Sequence, residues 1–158
     1  MTTIDPVTTT KKPVTPTPSG TLPAIGRRIG PRTVVASLWL FAILNYLYCD
    51  VLSADDPEFL RELLTGSVGG IEFNQTMLLA SGVLMSVPMG AVLLSRIAPH
   101  RLARWSSVVA GAVMTVVQAG TLTFGSAPTL HYLYFSAIEI ATTAFITWYA
   151  AARWTIDA

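Results

Sequence analysis

The sequence predicts an all-α protein: a four-helix transmembrane bundle with both termini in the cytoplasm. Three observations predict it. Hydrophobic residues make up 52% of the 158 residues and charged residues only 12%, about half the charged share of a soluble domain, and the mean hydropathy is +0.55. Four apolar stretches, at about residues 33–53, 74–95, 105–124 and 130–149, are each long enough to cross a hydrocarbon core of ~30 Å as a helix. The basic residues are also partitioned. Of ten Lys and Arg, nine fall before the first stretch (Lys11, Lys12, Arg27, Arg28, Arg32), between the second and third (Arg96, Arg101, Arg104) or after the fourth (Arg153). Positive residues stay on the cytoplasmic side, so this pattern places the multi-pass chain in a plasma (inner) membrane with its acidic first loop outside.

Residues 1–32 read as a disordered cytoplasmic tail. Met1–Gly20 is rich in Thr and Pro and lacks apolar periodicity. The basic Gly26–Arg32 precedes a run that is too long and too aromatic for a secretory signal, and the residues around Arg27–Arg28 fit a twin-arginine signal poorly. The membrane domain spans 33–154.

The first span, Thr33–Ser53, is plainly apolar in its inner half and carries Asn45, Tyr46, Tyr48, Cys49 and Asp50 in its outer half. Tyr46 and Tyr48 read either as interfacial aromatics or as groups bonded into the bundle. The loop 54–73 contains a helix signature over about 57–65: Asp56 as N-cap, Pro57 at the first helical position, Glu58 in the first turn and Gly66 as terminator. Phe59, Leu60, Leu63 and Leu64 share one face. They read as an amphipathic helix at the interface or as an ordinary structured loop, with Gly66–Gly70 as a flexible link.

In the second span, Asn74 is placed to cap the helix. Gly82, Ser86 and Gly90 form a small-residue stripe that lets another backbone approach, and Pro88 removes a helical hydrogen bond. The sequon Asn74-Gln75-Thr76 abuts the membrane and is discounted. Arg96–Arg104 reads as a short basic turn. The third span carries a second stripe: Ser107, Gly111, Thr115 and Gln118 or Ala119. After a tight uncharged turn, the fourth span places Ser136, Glu139, Thr143 and Thr147 on one face. Trp39, Trp105, Trp148 and Trp154 fit belt positions on the inner side.

Glu139 is the residue that stands out. No Lys or Arg lies within any of the four stretches to pair with it, and an acid at membrane depth marks a functional site by default. At 1.5 Å per residue it lies about 14 Å below the outer boundary, near mid-membrane. Asn45, Ser86, Thr115 and Gln118 fall at about the same depth, so each span contributes to one polar layer. Two readings of Glu139 stand open: a protonatable or ligand-binding carboxyl in a small cavity, or a neutral acid locked by hydrogen bonds to Asn45 or Thr115. The candidate intramembrane site is therefore Glu139, Asn45, Tyr46, Ser86, Thr115, Gln118 and Thr143, with Asp50 and His131 at the outer mouth. His131 is also placed to cap the fourth span, and a metal there lacks a third ligand.

Taken in order, Ser37-Leu38-Trp39 with Tyr46, Tyr48 and Asp50, then Leu84–Pro88, Arg104-Trp105, and Glu139 with Thr143 and Trp148-Tyr149-Ala150 resemble an uncharacterised family of small bacterial four-helix integral membrane proteins, classed as a domain of unknown function. The resemblance covers about residues 33–154 and implies a four-span membrane protein without implying an activity.

No phosphate-binding glycine loop, zinc motif or catalytic triad is present, and the lone Cys49 forms no internal disulfide. Cys49 has no basic neighbour to activate it and reads as a packing residue. The few basic residues are tied to topology, which excludes nucleic acid. The sequence thus predicts no cofactor, and its partners are the lipid bilayer and either further copies or other membrane subunits. Three function classes follow in order: a non-enzymatic bundle or complex subunit, a small-solute or proton-linked transporter or channel using Glu139, and last a membrane enzyme or redox partner.

Overall fold

The computed structural model describes residues 29–123 and 128–155. The Thr/Pro-rich tail through Arg28, residues 124–127, where the expected tight uncharged turn begins, and residues 156–158 lie outside the described residues. Five helices and one small hairpin follow in order: α1 (Pro31–Ala54), α2 (Pro57–Leu64), β1 (Ser67–Val68), β2 (Ile71–Glu72), α3 (Gln75–Ile97), α4 (His100–Thr121) and α5 (Leu130–Ala152). By length and composition, α1, α3 and α4 are each apolar enough to cross a membrane. The equally long α5 is not among these three; it carries His131, Glu139 and three threonines.

The helix ends follow from local chemistry. Pro31 starts α1. Asp56 caps α2 by accepting from the Glu58 N–H at 2.9 Å, and Asn74 caps α3 by accepting from the Met77 N–H at 2.9 Å; each satisfies one of the donors that a helix start leaves orphaned. Gly66, with φ +85°, lies just beyond the end of α2, the left-handed position that glycine takes at least cost.

Three expectations need correction here. Gly66–Gly70 contains strand β1 and the loop of a β-hairpin, with Val68 paired to Ile71. Gly69 and Gly70 have φ +56° and +83°, the two positive angles that a tight two-residue hairpin loop demands. Arg96–Arg104 is not a turn: α3 runs through Arg96 to Ile97, only Ala98 and Pro99 intervene, and α4 starts at His100. Proline suits a helix start, and the Arg, Leu and Ala that follow are good helix formers. Finally, Thr129, not His131, holds the N-cap position of α5.

The four long helices pack as a ring. α1 and α4 each lie against both α3 and α5. The core runs through Val35, Trp39, Ala42, Met114, Ile146, Ala150 and Trp154. Trp39 and Trp154 are fully buried, so they are core residues and not belt residues, whereas Trp105 and Trp148 are exposed. Burial of the Trp39 indole requires a partner for its N–H, and Ser107 Oγ accepts it at 3.4 Å across the ring.

The two small-residue stripes differ in use. A Cβ on Gly111 of α4 would collide with Thr147 Oγ1 and lie 3.0 Å from the Thr143 carbonyl of α5, so Gly111 sets the α4–α5 approach. Gly82 and Gly90 of α3 have nothing within 4 Å of the equivalent position. The α3 stripe is therefore unpacked within this chain.

Candidate functional site

Four of the seven candidate intramembrane residues form one connected network. Asn45 of α1 donates from Nδ2 to Glu139 Oε1 at 3.0 Å and to the Phe135 carbonyl at 3.2 Å. These bonds tie α1 to α5 and place the Glu139 carboxyl, which is 1% exposed. Thr115 of α4 donates to Thr143 Oγ1 at 2.8 Å, and Thr143 donates to the Glu139 carbonyl at 2.8 Å. Both threonine hydroxyls of this network have partners, as groups withdrawn from water generally do.

Gln118 sits one turn along α4 and donates from Nε2 to the buried Ser136 hydroxyl at 2.8 Å. It meets α5 beside the network without joining it. Ser86 does not join either. It is exposed and turns back to donate to the Gly82 carbonyl at 2.9 Å. Its depth along the chain suits the layer, but its position around α3 faces away from the other three long helices. The Thr115 hydroxyl also lies 2.7 Å from the Gly111 carbonyl of its own helix.

Tyr46 is placed differently. It is 6% exposed, and its hydroxyl has no hydrogen-bond partner among the described residues. A buried hydroxyl left unsatisfied costs about 1–3 kcal/mol, which sets Tyr46 apart from the satisfied groups around it.

The space beside Tyr46 is a cavity of about 170 Å³. Glu139, Gln118 and Tyr46 line it, with Asp50, Thr121 and Tyr132 on the same wall system. Met85 and Met114 supply apolar walls. Asp50 is exposed, so the cavity reaches from a buried carboxyl to an accessible one. The Tyr132 hydroxyl donates to Thr121 Oγ1 at 2.8 Å, which links α4 and α5 at this end. At about 30 Å³ per water the cavity has room for roughly five waters, or for one solute of comparable bulk.

His131 is not a lining residue. Its ring lies 3.4 Å from Ser53 Oγ and 3.1 Å from Thr129 Oγ1, so it joins the end of α1 to the start of α5. Among the described residues, no three of His, Cys, Asp and Glu converge as a metal site.

The opposite end of the molecule is closed by arginines. Arg32, at the start of α1, donates to the Ala98 carbonyl just beyond α3 at 2.8 Å. Arg104, early in α4, donates to the Ala150 and Ala151 carbonyls at 2.9 and 2.6 Å. Cations at a helix C-terminus satisfy orphaned carbonyls and complement the helix dipole. The sequence reading assigned both arginines to topology alone. Their position near a helix start, beside the end of an antiparallel neighbour, is the signal that would have found this second role. Cys49 and Tyr132 were likewise not read as lining residues; Cys49 lies three residues from Tyr46 and one turn from Asn45, on the same inward face.

The fold and the cavity define an all-helical protein with a polar interior and three helices apolar enough to cross a membrane. The chain belongs to a family of unknown function, DUF6326, whose model matches residues 28–158. No curated protein and no solved structure matches it.

Proposed function

We propose that the chain is a four-span integral membrane protein, not an enzyme, that admits a small solute into an intramembrane cavity ending at Glu139. The cavity is the observation that carries this reading, because it joins a buried carboxyl to the exposed Asp50 at its mouth. Three helices qualify as spans by length and apolarity. The fourth, α5, has its polar groups turned inward: Ser136, Glu139 and Thr143 are buried, while Leu133, Tyr134, Phe145 and Trp148 are exposed. That pattern is backwards for a helix in water and fits a helix in lipid.

The charge partition supports cytoplasmic termini and a cavity mouth on the outer side of a bacterial plasma membrane. In this orientation the arginine-capped end faces the cytoplasm. The Asn45–Glu139–Thr143–Thr115 network holds the helices in register, and the cavity beside it supplies the binding function.

The test is a thermal-shift screen of the full chain in nanodiscs against small solutes of each charge class. A solute that binds only the folded protein raises Tm by mass action. The expected result is a saturable shift for at least one class that shrinks in Glu139→Gln. The reading fails if no class shifts Tm, or if a shift is unchanged in Glu139→Gln.

A further inference from the structure

We infer that the solute admitted by this cavity is a small organic cation, an alkylammonium of about the cavity's volume, bound with its charge toward Glu139. The inference deepens the preceding proposal and rests on its reading that the cavity takes a solute.

Three observations support it. The cavity wall carries two acids, Glu139 and Asp50, and no Lys, Arg or His among the described lining residues. Glu139 therefore has no cationic partner in the wall, and an arriving cation supplies the missing counter-charge in a site where an uncompensated charge is costly. The second observation is independent of the acids. Tyr46 lines the same space, is 6% exposed, and its hydroxyl oxygen has no partner among the described residues; a solute carrying a donor or a polarised N–CH group satisfies it. The third is the remaining wall. Two tyrosine rings, Tyr46 and Tyr132, and two thioethers, Met85 and Met114, line it. Aromatic faces attract alkylammonium groups, and methionines adapt to irregular alkyl shapes. An anion meets two like charges here, and an inorganic cation meets too much apolar wall.

Volume sets the class further. About 170 Å³ accommodates a quaternary ammonium with a short substituent and excludes polycyclic dyes. Asp50 at the exposed mouth draws the cation in, and Glu139 holds it at depth.

The experiment compares choline with 3,3-dimethylbutan-1-ol, which has the same shape without the charge, by titration calorimetry on the full chain in nanodiscs. Choline is expected to bind at least roughly tenfold more tightly than the alcohol, as charge-assisted contacts imply. Glu139→Gln is expected to abolish that preference. Asp50→Asn, at an exposed position whose change leaves the core intact, is expected to reduce it severalfold, so the inference stays testable if Glu139→Gln does not fold. Equal binding of the two probes overturns the cation assignment and leaves the cavity reading standing. Binding of neither overturns both. A preference that survives in folded Glu139→Gln removes Glu139 as the site of the charge.

Discussion

The two ends of the helix ring are built from similar residues and finished differently. At the arginine end, Trp39, Ser95, Ser107 and Trp154 are completely buried, and the polar groups are closed by named bonds: Trp39 to Ser107, Ser95 to the Ala91 carbonyl, and Arg32 and Arg104 to helix-end carbonyls. At the acidic end, Tyr46 is buried without a partner, Asp50 is exposed, and a cavity separates the side chains. The lesson is that closure here is local. Buried tryptophans, small residues and arginine bonds to helix-end carbonyls seal one end, while the other leaves room beside a carboxyl. Stability and binding should therefore respond to substitutions at opposite ends.

The largest effect is expected at Gly111. Gly111→Val places side-chain atoms against Thr147 and the Thr143 backbone, and overpacking of this kind costs about 1–3 kcal/mol or more. Gly82→Val, in open space, serves as the matched control and should leave Tm nearly unchanged. Thermal unfolding of both variants in detergent or nanodiscs measures the contrast, and equal destabilisation would dissolve the distinction between the packed and unpacked stripes.

Arg104→Ala should come next. It removes two charge-assisted bonds to the end of α5, worth about 1.5–3 kcal/mol when buried; partial exposure lowers the expected loss to about 1–2 kcal/mol. Faster hydrogen exchange at the last turn of α5 is the specific readout.

Tyr46→Phe sharpens the comparison from the other end. It deletes a hydroxyl that bonds to nothing described, so stability should hold or rise by up to about 1 kcal/mol, while solute binding weakens. A clear loss of stability would mean that the hydroxyl has a structural partner. The smallest effect is expected at Ser86→Ala, within about 0.5 kcal/mol, because that hydroxyl bonds only its own helix at an exposed site.

Much of the fold was legible in the sequence because hydropathy and helix punctuation are local signals. Asp56, Pro57, Gly66 and Asn74 each sit where their chemistry places a helix end. Depth was legible too: counting residues at a fixed rise put Asn45, Thr115 and Glu139 at about one level, and together with Thr143, read onto the Glu139 face, they form one network. Rotation around the helix axis was less so. Ser86 has the right depth and the wrong face, and a lone span of small residues cannot say which side meets its neighbours. The roles of Arg32 and Arg104 depend on which helix end lies alongside, a tertiary fact that no single span carries. Gly69-Gly70 was a missed local signal, since a glycine pair between short β-prone segments is itself a hairpin mark.

The most direct test of the central claim is thiol labelling of intact cells in a Cys49→Ala background, with single cysteines introduced by Asp50→Cys, Ser107→Cys and Arg101→Cys. A membrane-impermeant maleimide added outside should modify Asp50→Cys, reach Arg101→Cys only after permeabilisation, and leave the sealed Ser107→Cys unmodified in both conditions. Labelling of Arg101→Cys in intact cells, with Asp50→Cys protected until permeabilisation, would contradict the orientation and the outward-facing cavity together.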